Sequence, residues 1–507
     1  MFIRKKKNKA GSISIQIISK HHGQYKVEKT IGSSDNLHEI ERLYQTAKLF
    51  LANIQGHRSL FVSRKDALID SFISTLANGQ LRVIGPELIF GKIYDHIGLG
   101  SLKENLFKHL VIARIVYPVS KLKTVDYMHR YQGIEVSVDT IYSFLDKLHS
   151  TLKDTVEQIA YQHSLKILGG EISIAFYDMT TLYFETSDED DLRKMGFSKD
   201  GKHQHPQIYL GLLVGLGGYA IGYDIFEGGI YEGDTLIPTI QKFEKKFKLT
   251  KPIIVADAGL LSTDNILLLE ENGYQYILGG RIKNEKKEIK KQILALSLAD
   301  GEFATIEKNS NTRLIISYSI KRAAKDEHNR KRGLQRLEKK VKSGKLTKSN
   351  INNKGYNKYL KLIGKINVEI DYEKFDNDKK WDGLKGYVTN TTLKPKEIVE
   401  NYKNLWQIEK AFKISKTDLR IRPIFHHLPR RIEAHLCISF AAYCVYKELE
   451  RLLYIHKAPF SVTKAAEYTQ TMYQINITLP ESKQNKNILL QMDDNQKLLK
   501  SIIDKIA

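Results

Sequence analysis

Three carboxylates stand where chemistry could be done. Asp178 closes the apolar run 172–178, and Asp257 closes another at 252–257. Glu409 lies in the helix-patterned segment 402–409, and Lys416 follows seven residues later. A carboxylate at the end of a buried strand either caps the next turn or ligates a cation. Two such aspartates facing each other repel strongly unless a cation lies between them. The pair is therefore informative where each member alone is not. Hard cations such as Mg²⁺ or Mn²⁺ take charged oxygen ligands. In open α/β sheets the site forms outside the carboxyl ends of the strands. Two strand-end aspartates and a helix glutamate are what a two-metal phosphoryl-transfer site requires, with ions about 3.5–4 Å apart. Tyr402, Leu405, Glu409 and Lys416 are three, four and seven residues apart and would share one helical face. An exposed Glu–Lys stripe on an amphipathic helix gives the same spacing, and Lys413 satisfies that reading too.

The balance of charge fits such a site. Lys and Arg number 80 against 58 Asp and Glu, a net charge of +22 over 507 residues. That excess implies a polyanionic partner, nucleic acid before an acidic membrane surface. A hydrophobic content of 42% fits a folded protein rather than a basic disordered tail. The two cysteines, Cys437 and Cys444, fall in one apolar helical stretch, too few for a disulfide scaffold or a Cys-rich zinc site. A reducing cytoplasm is expected. The basic start is followed by strand-like alternation at 12–17, not by the apolar core of a signal peptide. The longest apolar run, 436–446, is too short to span a bilayer, so no membrane role is expected.

The elements around the carboxylates predict an α+β, multidomain chain. Residues 1–34 alternate as a basic β-hairpin, and 35–165 read as a helical DNA-binding region. Within it, 138–148 follows a glycine turn as a recognition helix would, although any helical bundle makes such patterns. Residues 170–282 read as strand, hairpin, helix, strand, helix, strand, with the hairpin turn at Gly217 and Gly218. That order looks like an RNase H-like mixed sheet whose first and fourth strands are parallel neighbours, which sets Asp178 beside Asp257. Residues 283–382 read as a basic, β-containing insertion, 383–455 as the second part of the core with the Glu409 helix, and 456–507 as a helical tail. Residues 321–345 hold eleven Lys or Arg against three acids. Arg330, Lys331 and Arg332 are therefore candidate phosphate contacts, and a solvated helix is the alternative.

Weaker signals are His203 and His205, a pair short of zinc partners, and His426 and His427, which suit a DNA contact or a solvated loop equally. Trp406 reads as core.

With these residues the chain resembles the DDE transposases of bacterial insertion sequences, in the group with a Tyr-x2-Arg-x3-Glu-x6-Lys signature and a β-rich insertion before the Glu. Tyr402, Leu405, Glu409 and Lys416 keep the spacing, with Leu405 where that group carries Arg. The separations of 79 residues (257 − 178) and 152 residues (409 − 257) also fit. So do Thr181, Glu232 with Asp234, and the blocks 355–359 and 416–423; the resemblance spans about 35–455. It implies an RNase H-like core and two Mg²⁺ or Mn²⁺ ions held by Asp178, Asp257 and Glu409. The reaction would be cleavage at element ends and joining to target DNA. Lys416 would hold a phosphate near the scissile bond, and Tyr402 would contact DNA beside it. Lys403 or Arg420 would make up for Leu405, and Arg422 is a further DNA contact. Terminal inverted-repeat DNA, target DNA and a second copy of the chain would be the partners. A nuclease of the same fold without strand transfer and a catalytically defunct DNA-binding regulator are the alternatives.

Overall fold

The computed structural model describes all residues except 10, 22, 55–63, 199, 200, 261, 344, 345, 347, 353, 354, 364–366, 480, 481 and 507. The last two residues of the basic stretch 321–345 thus lie outside the described residues. Two compact units result, Met1–Leu81 with Ile475–Ile488, and Arg82–Gln474 with Leu489–Ala507.

In the first unit the alternating N-terminal sequence makes three antiparallel strands, β1 (Phe2–Lys7), β2 (Ile13–His21) and β3 (Gln24–Ser34), in that order. The expected hairpin gains a strand because the basic residues 4–7 pair along β2. Ile15 and Ile17 of β2 pack with Ile40 and Ala47 of helix α1 (Leu37–Ile54), which gives this unit a core of its own.

The second unit carries the candidate site. Its helices include α2 (Asn105–Val116), α3 (Val138–Lys147) and α4 (Lys153–Ile167). The sheet strands are β4 (Ile174–Tyr183), β5 (Gln207–Val214), β6 (Ala220–Glu227), then α5 (Leu236–Phe247), β7 (Ile253–Ala256), α6 (Thr263–Glu271) and β8 (Tyr276–Gly280). Further on come β9 (Phe303–Glu307), β10 (Arg313–Tyr318), α7 (Ile320–Lys342), β11 (Leu384–Thr389), α8 (Pro395–Lys403), α9 (Trp406–Lys413) and α10 (Pro429–Ile455).

Eight strands form one mixed sheet in the order β9-β10-β11-β8-β7-β4-β5-β6. β4, β7 and β8 run parallel, and the other pairings are antiparallel. The order β6-β5-β4-β7-β8, with its parallel β4–β7 pair, is the RNase H-like arrangement read from the sequence. Every residue of β5 is buried, as expected of a strand covered on both faces. Side chains alternate between two cores. Phe176, Val255, Ile277 and Tyr387 join the core on one face, while Tyr177, Ala256, Leu278 and Val388 join the core on the other. Helices α8, α9 and α10 supply the first of these cores.

α10 is apolar nearly all round and accordingly buried, with α2, α3 and α4 packed against it. α3 starts at a Ser137 cap and buries Ile141, Phe144 and Leu145. Its Asp146 is held by Arg430 and Arg431 at 2.8 and 2.9 Å. The span read as an insertion divides in two. β9 and β10 extend the main sheet through β11. α7 instead packs Leu337 with Tyr359, Leu360 and Ile370 around the hairpin Leu360–Ile363 and Asn367–Ile370. No helix among the described residues is long and apolar enough to cross a membrane.

Candidate active site

The two aspartates meet through strand register. β4 and β7 are parallel neighbours with Tyr177 opposite Ala256. Asp178 and Asp257 are the next residues on each strand's chain, so they are neighbours one step past the last paired position. They are in phase with Phe176 and Val255, whose side chains enter the core built by α8 and α9. Both carboxylates therefore point to that face. Asp178 Oδ1 accepts the Met179 N–H at 2.7 Å, and Asp257 Oδ1 accepts the Gly259 N–H at 2.7 Å. These short local bonds hold each carboxylate in place. Only Asp257 closes its strand; β4 runs on past Asp178 to Tyr183, because its pairing with β5 continues after the pairing with β7 stops.

Tyr402 connects the strand ends to the helices. The expected continuous helix is broken at residues 404 and 405, where Leu405, Gln407 and Ile408 donate to carbonyls three residues back. Tyr402 thus ends on α8 and Glu409 on α9, and Lys416 lies in the wide turn Ile414–Asp418 directly after α9. α9 nevertheless packs on β4 and β5, and α8 on β7 and β8. The buried Tyr402 hydroxyl has its pKa driven well up, first by burial and then by Asp257, Tyr387 and Glu409. One phenol thus feels both a strand carboxylate and the helix carboxylate. It can approach because Gly279 has no side chain, for a Cβ there would stand 2.5 Å from the Tyr402 hydroxyl and 2.9 Å from the Ala258 nitrogen. Ala258 directly follows Asp257. Glu409 itself is exposed on α9. Among the described residues no group of three or more His, Cys, Asp or Glu is closed tightly enough to hold a metal ion. Asp178 and Asp257 are neighbours through the strand register, and Glu409 lies on the helix that packs over the strand of Asp178.

A cleft of about 610 Å³ opens beside the pair, lined among others by Ala258, Gly279, Arg322, Lys385 and Tyr402. The Lys385 ammonium lies 4.2 Å from the Tyr402 ring centroid. Its pKa falls to about 8, mainly through burial and then the neighbouring Arg322 and Lys403, against an opposing pull from Glu409. Sequence reasoning missed Lys385 and Gly279. A signal for Gly279 existed, since Gly279 and Gly280 interrupt an apolar strand and such glycines mark close backbone approach.

The candidate DNA contacts divide. Lys331 and Arg332 are exposed on α7, with Lys331 2.7 Å from Glu327. Arg330 departs from the expectation. It is 7% exposed, is ion-paired with Asp382 and lies 5.5 Å from the Phe375 ring, so its guanidinium turns inward. Arg420 is exposed, and Arg422 is half-buried with its guanidinium 5.6 Å from the Tyr183 ring. Leu405 is buried in the apolar layer under α9, which accounts for an apolar residue there. Trp406, expected in the core, is 53% exposed, because α9 turns Ile408, Ala411 and Phe412 inward. His426 is buried rather than in a solvated loop.

Among solved structures, the chain is similar to the piggyBac transposase synaptic complex with hairpin DNA, at 12% identity over 76% of this chain and 78% of that one, with a TM-score of 0.40. It is also similar to the Mos1 transposase paired-end complex with left transposon end, at 9% identity over 31% of this chain and 53% of that one, with a TM-score of 0.16. No curated protein matches it. Residues 169–445, more than half of the 507, match the transposase DDE domain, from the strand of Asp178 through the helix of Glu409. The chain belongs to the DDE-domain transposase family.

Proposed function

We propose that this transposase cuts DNA at the ends of a mobile element and joins the freed 3′-hydroxyls to target DNA, with Asp178, Asp257 and Glu409 as its acidic triad. The observation that carries the reading is the parallel register of β4 and β7, which brings Asp178 and Asp257 to neighbouring positions just past its last pair, on the face covered by α9. The donors are carboxylate oxygens, the chemistry that Mg²⁺ or Mn²⁺ prefers, so the donor set suits such ions once Glu409 closes on the aspartates. When bound, the ions supply Lewis-acid stabilisation of the phosphoryl oxygens.

The chain's own residues do the positioning. The Met179 and Gly259 N–H groups hold the aspartates in place before substrate arrives. The Tyr402 hydroxyl keeps its proton through the physiological range and so is available as a hydrogen-bond donor. Lys385 and Lys416 hold phosphate oxygens as point charges, and Lys331, Arg332, Arg420 and Arg422 contact the flanking backbone. Element-end DNA, target DNA and a second copy of the chain are the partners, with residues 35–165 contributing to DNA binding.

The test uses the purified full chain, Mg²⁺ and duplexes ending in the inverted repeats that flank its gene. Cleavage at the repeat boundary and a joined product are expected. Cut ends that never join would replace the reading with a nuclease, and binding without any cleavage would replace it with a regulator.

A further inference from the structure

Away from the carboxylates, the second unit contains a cavity of about 180 Å³ whose lining includes Arg114, Lys121, Tyr142, Arg422, His426 and His435, and no Asp or Glu. Four of these are more than nine-tenths buried: Arg114 and Lys121 at 6% exposed, His426 at 8% and His435 at 5%. Their burial is built by the fold. Arg114 lies on α2, Lys121 starts the short helix Lys121–Tyr127, His435 sits on the buried α10, and residues 420–426 close over them.

Among the described residues neither Arg114 nor Lys121 makes an ion pair; Arg114 donates only to the Arg420 carbonyl, at 3.4 Å. His435 faces the Ile421 carbonyl through Nε2 at 3.0 Å and leaves Nδ1 buried without a partner. Burying cations without counter-charges is costly, and folded chains rarely do it without a partner to supply the charge. The cost is visible in the titration. Burial pushes Lys121 well below its ordinary pKa, with Arg114 adding to the effect, and brings His426 down to about 3.

The missing partner must be an anion. A metal ion is repelled by the same cations, and an apolar ligand would leave them unsolvated. The volume of about 180 Å³ gives room for a tetrahedral oxyanion with waters. We propose that this cavity is an oxyanion socket that seats a phosphoryl group. Its place suggests whose. Ile424 bridges to Phe184, one residue past β4, and Arg422 lies against Tyr183, so the socket hangs on the strand that carries Asp178. Six residues of strand at about 3.3 Å each separate Phe184 from Asp178, about 20 Å. On the functional reading above, from which this source alone derives, the socket takes a backbone phosphate flanking the scissile bond.

The experiment melts the full chain in inorganic phosphate and in chloride at equal ionic strength. Wild type should gain thermal stability in phosphate beyond chloride. Lys121→Met should melt higher than wild type in chloride, because an unpaired buried charge is gone. It should also bind phosphate about tenfold more weakly or worse. Arg114→Gln is read the same way if the Met variant does not fold. No phosphate-specific gain in wild type, or an undiminished gain in the variants, overturns the socket. A second arm measures binding of duplexes carrying one neutral methylphosphonate. A loss confined to one phosphate position flanking the cut, absent in Lys121→Met, assigns the socket to DNA. Equal binding at every position, with the phosphate gain intact, assigns it to free phosphate. The melting arm does not depend on transposition, so its failure is distinct from failure of the functional reading.

Discussion

Adding one methyl group at Gly279 tests the geometry that joins the strand ends to the helices. In Gly279→Ala the new Cβ would stand 2.5 Å from the Tyr402 hydroxyl, 2.9 Å from the Ala258 nitrogen and 3.2 Å from the Ala258 Cβ. Carbon atoms do not sit that close, so either Tyr402 swings away or the backbone beside Asp257 moves. Overpacking of this kind costs about 1–3 kcal/mol. In a unit this large that lowers the melting temperature by no more than about 6 °C. Function should suffer more, because a displacement of about 1 Å at a reacting centre costs about 100-fold in rate. Cleavage of an element-end duplex should therefore fall by about two orders of magnitude in a protein that is still folded. Tyr402→Phe removes the atom in closest conflict. The double variant should recover stability with a coupling of about 0.5–3 kcal/mol, read as the departure from additivity in denaturant unfolding. Wild-type melting and cleavage in Gly279→Ala would refute the reasoning, as would strict additivity of the two changes.

Asp257→Asn should abolish cleavage in Mg²⁺ while gel-shift affinity for end DNA stays equal or rises, since one charge repelling phosphate is gone; near-wild-type cleavage contradicts the assignment. Arg330→Gln should lower the melting temperature, because breaking a buried pair and stranding Asp382 costs about 3–5 kcal/mol, yet leave the salt dependence of DNA binding unchanged. Lys331→Gln with Arg332→Gln should do the reverse, flattening the slope of log K against log salt by up to about 1.8 at unchanged stability; equal slopes for the two variants would count against the inward placement of Arg330. Lys385 loses its charge as pH rises through about 8 in the free protein, so DNA affinity should fall there, and Lys385→Met should remove that limb. The sign for stability is opposite. The unfolded chain binds this proton more tightly, so stability rises from about pH 8 to about 10.4, and a Lys385→Met variant that keeps this rise refutes the lysine's role.

The central part of the fold was legible because its information is local. Short apolar runs ending in Asp178 and Asp257 read as buried parallel strands, and their order in the chain implied that β4 and β7 are neighbours. What escaped was set by contacts distant in sequence. β9 and β10 joined the core sheet by pairing through β11, about 70 residues further on, which no local pattern announces. Arg330 looked like any other cation in a basic run, and only Asp382, 52 residues away, turns it inward. The break at residues 404 and 405 left Tyr402 and Glu409 on separate helices, although their spacing suits a single one. Lys121 and Arg114 carried no sequence signal at all, because their burial arises from the closing of residues 420–426 over α2 and α10.

The claim that matters most is that Asp178 and Asp257 share a metal ion, with Glu409 completing the site on DNA. Anomalous diffraction at the manganese edge, from crystals of the full chain with element-end DNA and Mn²⁺, tests it directly. A manganese peak between the Asp178 and Asp257 carboxylates, at about 2.0–2.6 Å from an oxygen of each, is the predicted result. Manganese bound elsewhere on the chain, with both aspartates unliganded beside an ordered scissile phosphate, would contradict it.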